Sequence, residues 1–274
     1  MPKGHEPLRL CCVGAHPDDE TLGMGGTLAK YAAEGVETYV VTATRGQRGR
    51  YRDGRDHPGP EALGRFREAE LRAAARVLGV REVSFLDYWD KDLDRAEPRE
   101  VVAALVAHLR RLRPHVVATF APDGAYGHPD HIAISQFASA AVVAAADASF
   151  VPAGGEDERA HRVSKLYYIA WSAPKWAAYQ AAFKRLVSKV DGVEREAAPW
   201  PDWAITTVID TADHWPTVWE AVRCHESQMA IYGPLSELSE EHHRGLWGTQ
   251  EFYRAMSLVN GGRERETDLF AGLR

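Results

Sequence analysis

Four ionisable side chains crowd into Ala15-His16-Pro17-Asp18-Asp19-Glu20, directly after the apolar run 8–13, which Arg9 alone interrupts. A second stretch, Tyr126-Gly127-His128-Pro129-Asp130-His131, follows another apolar run, 115–120. Imidazole and carboxylate together suit a single divalent cation. With Pro17 starting a helix, His16 is its N-cap and Asp19 lies one turn on, on the same face. His16, Asp19 and His131 then form a facial set of two histidines and one carboxylate. Three protein ligands leave a position open for water, as catalytic rather than structural sites do. Such a metal lowers the pKa of water and polarises a carbonyl. Two helix N-termini favour a hydroxide and a developing oxyanion. Asp18 points aside, a carboxylate next to the metal that need not bind it.

A lone His-Pro-Asp is also what a helix cap with a surface histidine looks like; two of them, each after a strand of one alternating pattern, are far harder to obtain by chance. Asp56-His57-Pro58-Gly59 is an internal control, with no strand before it and no carboxylate after it, and His57 reads as a surface residue. His5, His108, His115, His161, His214, His242 and His243 lack a constellation and read as structural or solvated, while His225 is ambiguous.

The elements that must position these residues follow from periodicity. Strands are expected over 8–13, 36–43, 82–86 and 115–120, and helices over 21–33, 61–78, 98–112 and 131–146. Gly35 and Gly79 close the first two helices. Near-continuous apolar strands alternating with helices predict an α/β fold, with a mainly parallel sheet and helices on both faces. In such sheets ligands bind outside the carboxyl ends of the strands. The second half is less regular. Strand-like segments lie at 165–171 and 204–210, helices at 175–187 and 212–228, and 251–259 fits either. The segment 269–273 is expected to dock on the body. No linker divides the chain, so a single domain over 1–274 is expected, with a core over 8–147 and an extension over 148–274 that completes the sheet and pocket.

At 274 residues, 45% of them hydrophobic and 26% charged, the chain has the composition of a soluble globular protein and the length of one large α/β domain or two small ones. A net charge of −6 argues against a dedicated nucleic-acid binder. Arginines cluster between Arg45 and Arg55, either as a solvated loop or as a positive rim for an anionic ligand. Cys11, Cys12 and Cys224 fit no disulfide framework or zinc ribbon. No run spans a bilayer and Met1–His5 carries no signal segment, so a cytoplasmic location is expected. A Gly-x-Ser-x-Gly elbow and a P-loop are absent, and Gly23-Met24-Gly25-Gly26 is no dinucleotide fingerprint.

The paired motifs resemble the PIG-L/LmbE-type N-deacetylases, the family that includes deacetylases of mycothiol and bacillithiol synthesis and mycothiol S-conjugate amidase. Thr44-Arg45-Gly46-Gln47, Arg67-Glu68-Ala69-Glu70-Leu71 and His225-Glu226-Ser227-Gln228 extend the resemblance. It implies a Rossmann-like fold and one divalent metal, Zn2+ or in some settings Fe2+, on His16, Asp19 and His131. It implies that Asp18 is the general base. His128 stabilises the tetrahedral intermediate or protonates the leaving amine, Asp130 orients His128, and Tyr126 helps polarise the carbonyl. Arg67 and Asp90 match substrate-binding residues that contact the sugar, the plainer alternatives being a surface helix residue and a turn residue. Gln47 departs from a family Glu, the Arg48–Arg55 and Ser149–Arg162 segments have no match and are expected to edge the pocket, and Glu20 has no firm role.

The expected activity is hydrolytic removal of an acetyl group from an N-acetylglucosamine-type conjugate. Alternatives are an amidase on a thiol, lipid or antibiotic conjugate, and a non-catalytic metal- or sugar-binding module. The expected partner is a small acetylated amino sugar, not nucleic acid, and a homo-oligomer is compatible with the sequence.

Overall fold

Strand and helix alternate through the first half as the apolar runs predict. The computed structural model describes residues 6–52, 54, 56–154, 159–183, 187–190, 192–259, 262 and 264–274. Met1–His5 therefore lie outside the described residues, as do parts of the 48–55 and 149–162 loops. In order come β1 (Arg9–Gly14), α1 (Asp19–Ala33), β2 (Glu37–Thr44), α2 (Pro60–Val77), β3 (Glu82–Tyr88), α3 (Pro98–Leu112) and β4 (Val116–Phe120). A single turn, α4 (Gly124–Gly127), leads into α5 (Pro129–Ala145) and β5 (Lys165–Ile169). The second half adds α6 (Ala173–Phe183), β6 (Val187–Val190), β7 (Val193–Glu196), β8 (Thr207–Asp210), α7 (Trp215–Arg223), α8 (Met229–Tyr232), α9 (Glu240–Trp247) and β9 (Thr249–Ser257).

The main sheet runs β3-β2-β1-β4-β5-β9-β8. Its first five strands are parallel, and β9 is antiparallel to both neighbours. Alternate residues of β1 serve opposite faces: Cys11 and Val13 join a core with α3 and α5, while Leu10 and Cys12 join one with α1. The mainly parallel sheet with helices on both faces is thus as expected. From β1 the chain crosses to β2 on one side, whereas β4 leads to β5 on the other. The topological switch point therefore lies between β1 and β4, where open α/β sheets bind ligands.

Several boundaries differ. Helix α1 starts at Asp19 and is capped by Asp18, not His16, because Asp18 takes a left-handed conformation with φ 105°. The helix expected over 175–187 ends at Phe183, and Val187 opens a hairpin with β7 that alternation in so short a segment did not reveal. The strand expected from 204 begins at Thr207, after a 3-10 turn at Asp202–Ala204. The helix expected over 212–228 spans only Trp215–Arg223, with proline in its first turn. Segment 251–259 is a strand because it pairs with β5 and β8. No helix among the described residues is long and apolar enough to cross a membrane.

The C-terminal segment docks as expected: Leu269 and Phe270 are fully buried. Fully buried Lys165 anchors it, with Nζ donating to Glu266 Oε1 at 2.7 Å, Ala271 O at 2.9 Å and Leu269 O at 3.3 Å. Removing one partner of a buried pair leaves the others desolvated. Lys165→Met is therefore expected to cost about 3 kcal/mol of unfolding free energy. Chemical denaturation measures it, and an unchanged midpoint would remove this anchoring role.

Candidate metal centre and active site

His16 and Asp19 leave the carboxyl end of β1, and His128, Asp130 and His131 leave that of β4 through the α4 turn. The turn is not regular helix, since Ala125 has φ 64° and ψ −64°. His128 caps α5, its Nδ1 accepting from Asp130 N at 3.2 Å. Asp19 folds back on the preceding loop, and its Oδ2 accepts from Ala15 N at 2.9 Å and His16 N at 2.8 Å. Its carboxylate then faces both imidazoles, with Oδ1 3.4 Å from His131 Nε2 and Oδ2 3.7 Å from His16 Nδ1. His16 Nδ1 and His131 Nε2 stand 3.2 Å apart. Ligand atoms from His16, Asp19 and His131 all lie within 4.8 Å of one another. Two ring nitrogens and a carboxylate converging on one point fit a divalent cation. A stack on Phe120, with centroids 3.9 Å apart, fixes the His131 ring.

The other edge of His16 is held by two carboxylates. Its Nε2 is 3.0 Å from Asp130 Oδ2 and 3.2 Å from Asp90 Oδ1. This is the arrangement that aims a ligating histidine and raises its basicity. Burial pulls the His16 pKa down, but the two carboxylates outweigh it and hold the pKa well above the ordinary value. One expectation is corrected here. Asp130 does not orient His128 through its carboxylate; it braces His16 and accepts from Lys91 N at 2.7 Å. Asp90 lines the cavity, its Oδ2 accepting from Arg48 N at 3.0 Å while Oδ1 meets His16. Gln47 Oε1 accepts from Asp90 N at 3.2 Å, so the residue that replaces the family Glu braces this loop.

Asp18 lies beside the cluster and is buried. Its Oδ2 accepts from Arg67 Nη2 at 2.9 Å and from Tyr232 Oη at 2.6 Å. Arg67 is a surface residue in neither placement nor chemistry. It is buried, and it also donates to Pro17 O at 2.5 Å and Gly46 O at 3.2 Å. The guanidinium expected to contact a sugar faces the carboxylate of Asp18 and also lines the cavity. Burial raises the Asp18 pKa and outweighs the lowering by Arg67. Asp18 therefore keeps more affinity for a proton than a solvated carboxylate.

Sequence reasoning missed Tyr232, which stands 214 residues from Asp18 and belongs to no motif. It also left Glu20 without a role. Buried Glu20 accepts from Asp18 N at 3.0 Å through Oε2, stabilising the left-handed cap. Its Oε1 accepts from Thr21 Oγ1 and lies 3.4 Å from Nε2 of fully buried His225. His225 is thus a core residue behind the site.

His128 and Tyr126 complete the wall. Burial and the neighbouring His16 and His131 pull the His128 pKa down to about 3, so the ring is neutral at pH 7. With Nδ1 accepting at the helix cap, the proton sits on Nε2, which makes that nitrogen a donor. Tyr126 packs edge-on against the rings of His128 and His131, and burial keeps its phenol protonated. These residues line one cavity of about 260 Å3 with Leu22, Ile169, Trp171 and Tyr179 as its apolar wall. If the Nε2 donor is what matters, His128→Ala should lower turnover about a hundred- to a thousandfold. His128→Gln, which can retain a donor, should recover part of the loss. Equal losses in steady-state assays of both variants would argue against a donor role.

The described residues of the segment 149–162 are not at the pocket. His161 Nε2 lies 2.7 Å from Pro114 O and its backbone N donates to Ala145 O, at the amino edge of the parallel strands. The Arg-rich loop does reach the pocket through Gly49.

A Rossmann-like α/β sheet with a metal-capable histidine–carboxylate cluster at its switch point defines the class. The family model described as PIG-L, GlcNAc-PI de-N-acetylase, matches residues 11–142. The chain is 38% identical to the 1D-myo-inositol 2-acetamido-2-deoxy-alpha-D-glucopyranoside deacetylase of Streptomyces griseus, over 97% of this chain and 89% of that protein. It belongs to the PIG-L family of deacetylases. Among solved structures it is similar to the conserved protein TT1542 from Thermus thermophilus, with TM-score 0.64 and 26% identity over 93% of this chain and 97% of that one. The N,N'-diacetylchitobiose deacetylase from Pyrococcus horikoshii shares the fold, with TM-score 0.64 and 22% identity over 90% of this chain and 83% of that one.

Proposed function

We propose that this chain is a zinc-dependent N-deacetylase that hydrolyses the acetamide of an N-acetylglucosamine-type conjugate. The observation that carries the reading is the convergence of His16, Asp19 and His131 with buried Asp18 and neutral His128 on one cavity. Zinc suits two imidazoles and one carboxylate with a coordination position left open, and ferrous iron accepts the same donors. When bound, such an ion supplies Lewis-acid polarisation of a carbonyl and a water of lowered pKa.

The chain's own residues handle the protons. Asp18, held by Arg67 and Tyr232, takes one proton from the attacking water. His128 Nε2–H and the Tyr126 phenol donate to the carbonyl oxygen as negative charge builds there. Neutral His128 carries no spare proton at pH 7. The proton held on Asp18 therefore passes to the departing amine as the C–N bond breaks. Asp90 and Asp130 position His16, and Glu20 positions Asp18. We further propose that residues 1–274 act as one domain, with 8–147 supplying the reacting groups and Leu22, and 148–274 supplying Tyr232 and the rest of the apolar wall.

The test is acetate release from a panel of N-acetylglucosamine conjugates by zinc-loaded protein. The panel begins with the inositol glycoside named for the Streptomyces griseus relative and includes thiol, lipid and antibiotic conjugates. Equal amounts of acetate and free amine from at least one conjugate are expected. Metal binding without hydrolysis of any would leave a binding module instead.

A further inference from the structure

The cavity at the switch point has two unlike ends, and the order of the strands sets them apart. Gly49, Arg67 and Asp90 belong to the connections that follow β2 and β3, and they make one end polar. The histidine–carboxylate cluster follows β1 and β4, in the middle. The other end lies over β5, whose last residue, Ile169, pairs in register with Phe120, the ring stacked on His131. There Leu22 and Gly23 of α1, Ile169, Trp171 and Tyr179 of α6 form an apolar wall. An acetyl methyl covers only on the order of 30 Å2 of apolar surface. Two aromatic rings and two branched aliphatic side chains present several times that.

The wall is held in place from behind. Trp171 and Tyr179 stack with centroids 4.5 Å apart, and Tyr179 Oη donates to Leu22 O at 2.7 Å. Glu251 fixes Ser172, next to Trp171, by accepting from its N at 2.7 Å and its Oγ at 2.9 Å. Lys175 Nζ donates to the carbonyls of Gly245, Leu246 and Thr249, tying α6 to the end of α9. Behind the wall Gly23, Ile169, Trp171 and Tyr179 border a small hollow of about 10 Å3 that Lys175 and Glu251 close. Both closing groups are already bonded, so this end offers no partner to a charged chain. Gly23-Met24-Gly25-Gly26 gains a reading here. A Cβ on Gly25 would come within 3.1 Å of Val218 on α7, and one on Gly26 within 2.8 Å of Thr211, so these two glycines serve packing. A Cβ on Gly23 would instead stand at the cavity wall, 3.1 Å from Ile169 Cδ1. Glycine inside a helix costs conformational entropy, and what Gly23 returns is open space at the apolar end.

We propose that this apolar end is an acyl subsite deeper than an acetyl group needs, and that the chain hydrolyses N-propionyl or N-butyryl amino-sugar conjugates better than the N-acetyl one. The inference rests on the deacetylase reading. The amide carbonyl lies at the cluster, the sugar toward Arg67 and Asp90, and the acyl chain over Gly23 against Ile169 and Trp171. Water adds across the amide C–N bond, and the products are the free amine and propionate or butyrate.

The test compares the N-acetyl, N-propionyl and N-butyryl forms of one glucosaminyl-inositol with zinc-loaded protein. At least one of the two longer forms should exceed the acetyl form in kcat/KM, by about fourfold for each added methylene. Gly23→Ala places a methyl in the space assigned to the chain, and it folds, because alanine is the better helix former. The ratio of the longer form to the acetyl form is the readout, so that a general loss of activity cancels. It should fall about fourfold in the variant, the worth of one methylene. An acetyl form that is at least as fast as both others, or a ratio that Gly23→Ala leaves unmoved, would overturn the subsite and leave the deacetylase reading standing. If none of the three is hydrolysed, the deacetylase reading falls for this glycoside, and calorimetric binding of the same three decides the subsite alone. Tighter binding of a longer form, weakened in Gly23→Ala, supports it, and equal binding of all three overturns it.

Discussion

Asp18→Asn should leave one metal bound per chain and lower kcat about a hundred- to ten-thousandfold, the range for loss of a positioned general base. The substitution suits the geometry. Both partners of Asp18, Arg67 and Tyr232, reach the same oxygen, Oδ2. An asparagine carbonyl oxygen in that place can still accept from both. Oδ1 has no hydrogen-bond partner among the described residues, and that is the basic position an amide nitrogen would abolish. Burial raises the Asp18 pKa. The acid limb of the kcat/KM profile should therefore fall above the usual carboxylate range, with activity rising with pH as Asp18 loses its proton, and that limb should vanish in the variant. Metal content, the pH profile and acetate release check the three parts. Undiminished hydrolysis in a variant that still holds metal would remove Asp18 from the chemistry. An Arg67→Met comparison separates positioning from base function, because it leaves the carboxylate in place without its guanidinium partner. Its turnover should fall less than that of Asp18→Asn, and its acid limb should shift further upward.

The metal-capable cluster was legible because its signal is local. His16 and Asp19 sit three residues apart after one strand, and His128 to His131 after another, and parallel strands buried on both faces announce themselves as unbroken apolar runs. The residues around the cluster were not legible, because their roles depend on contacts between distant elements. Arg67 reaches Asp18 across 49 positions and Tyr232 reaches it across 214. Nothing in an amphipathic helix distinguishes an arginine that turns inward to a carboxylate from one that stays in water. Asp130 illustrates a further limit. Its spacing from His128 suggested a pair, but the cap geometry gives His128 the backbone N–H of residue 130 and leaves the carboxylate to His16. Glu20 was unreadable for a similar reason. A first-turn carboxylate ordinarily faces solvent at a helix N-terminus, whereas here the left-handed Asp18 turns its own N–H toward Glu20.

Stripping the metal should abolish turnover, and zinc should restore it. The claim reaches beyond activity, because the ligands come from opposite sides of the switch point: His16 and Asp19 follow β1, and His131 follows β4. An ion that bridges them binds the folded chain and not the unfolded one. It should therefore stabilise the fold, by about 4 kcal/mol at free metal a thousandfold above Kd. Chelation should lower the unfolding midpoint accordingly, and one equivalent of zinc should return it. His131→Ala keeps His16 braced by Asp90 and Asp130 but leaves only two ligands, so it should lose both the bound metal and the zinc-dependent rise in midpoint. Asp90→Asn should act differently. It weakens one of the two carboxylates that aim His16, so metal affinity should fall about ten- to a hundredfold, with turnover recovering at saturating zinc. Full activity after exhaustive chelation, with metal measured well below one per chain, would overturn the metal-centred reading. Recovery of Asp90→Asn at saturating zinc, beside permanent loss in His131→Ala, would separate a residue that aims a ligand from one that is a ligand.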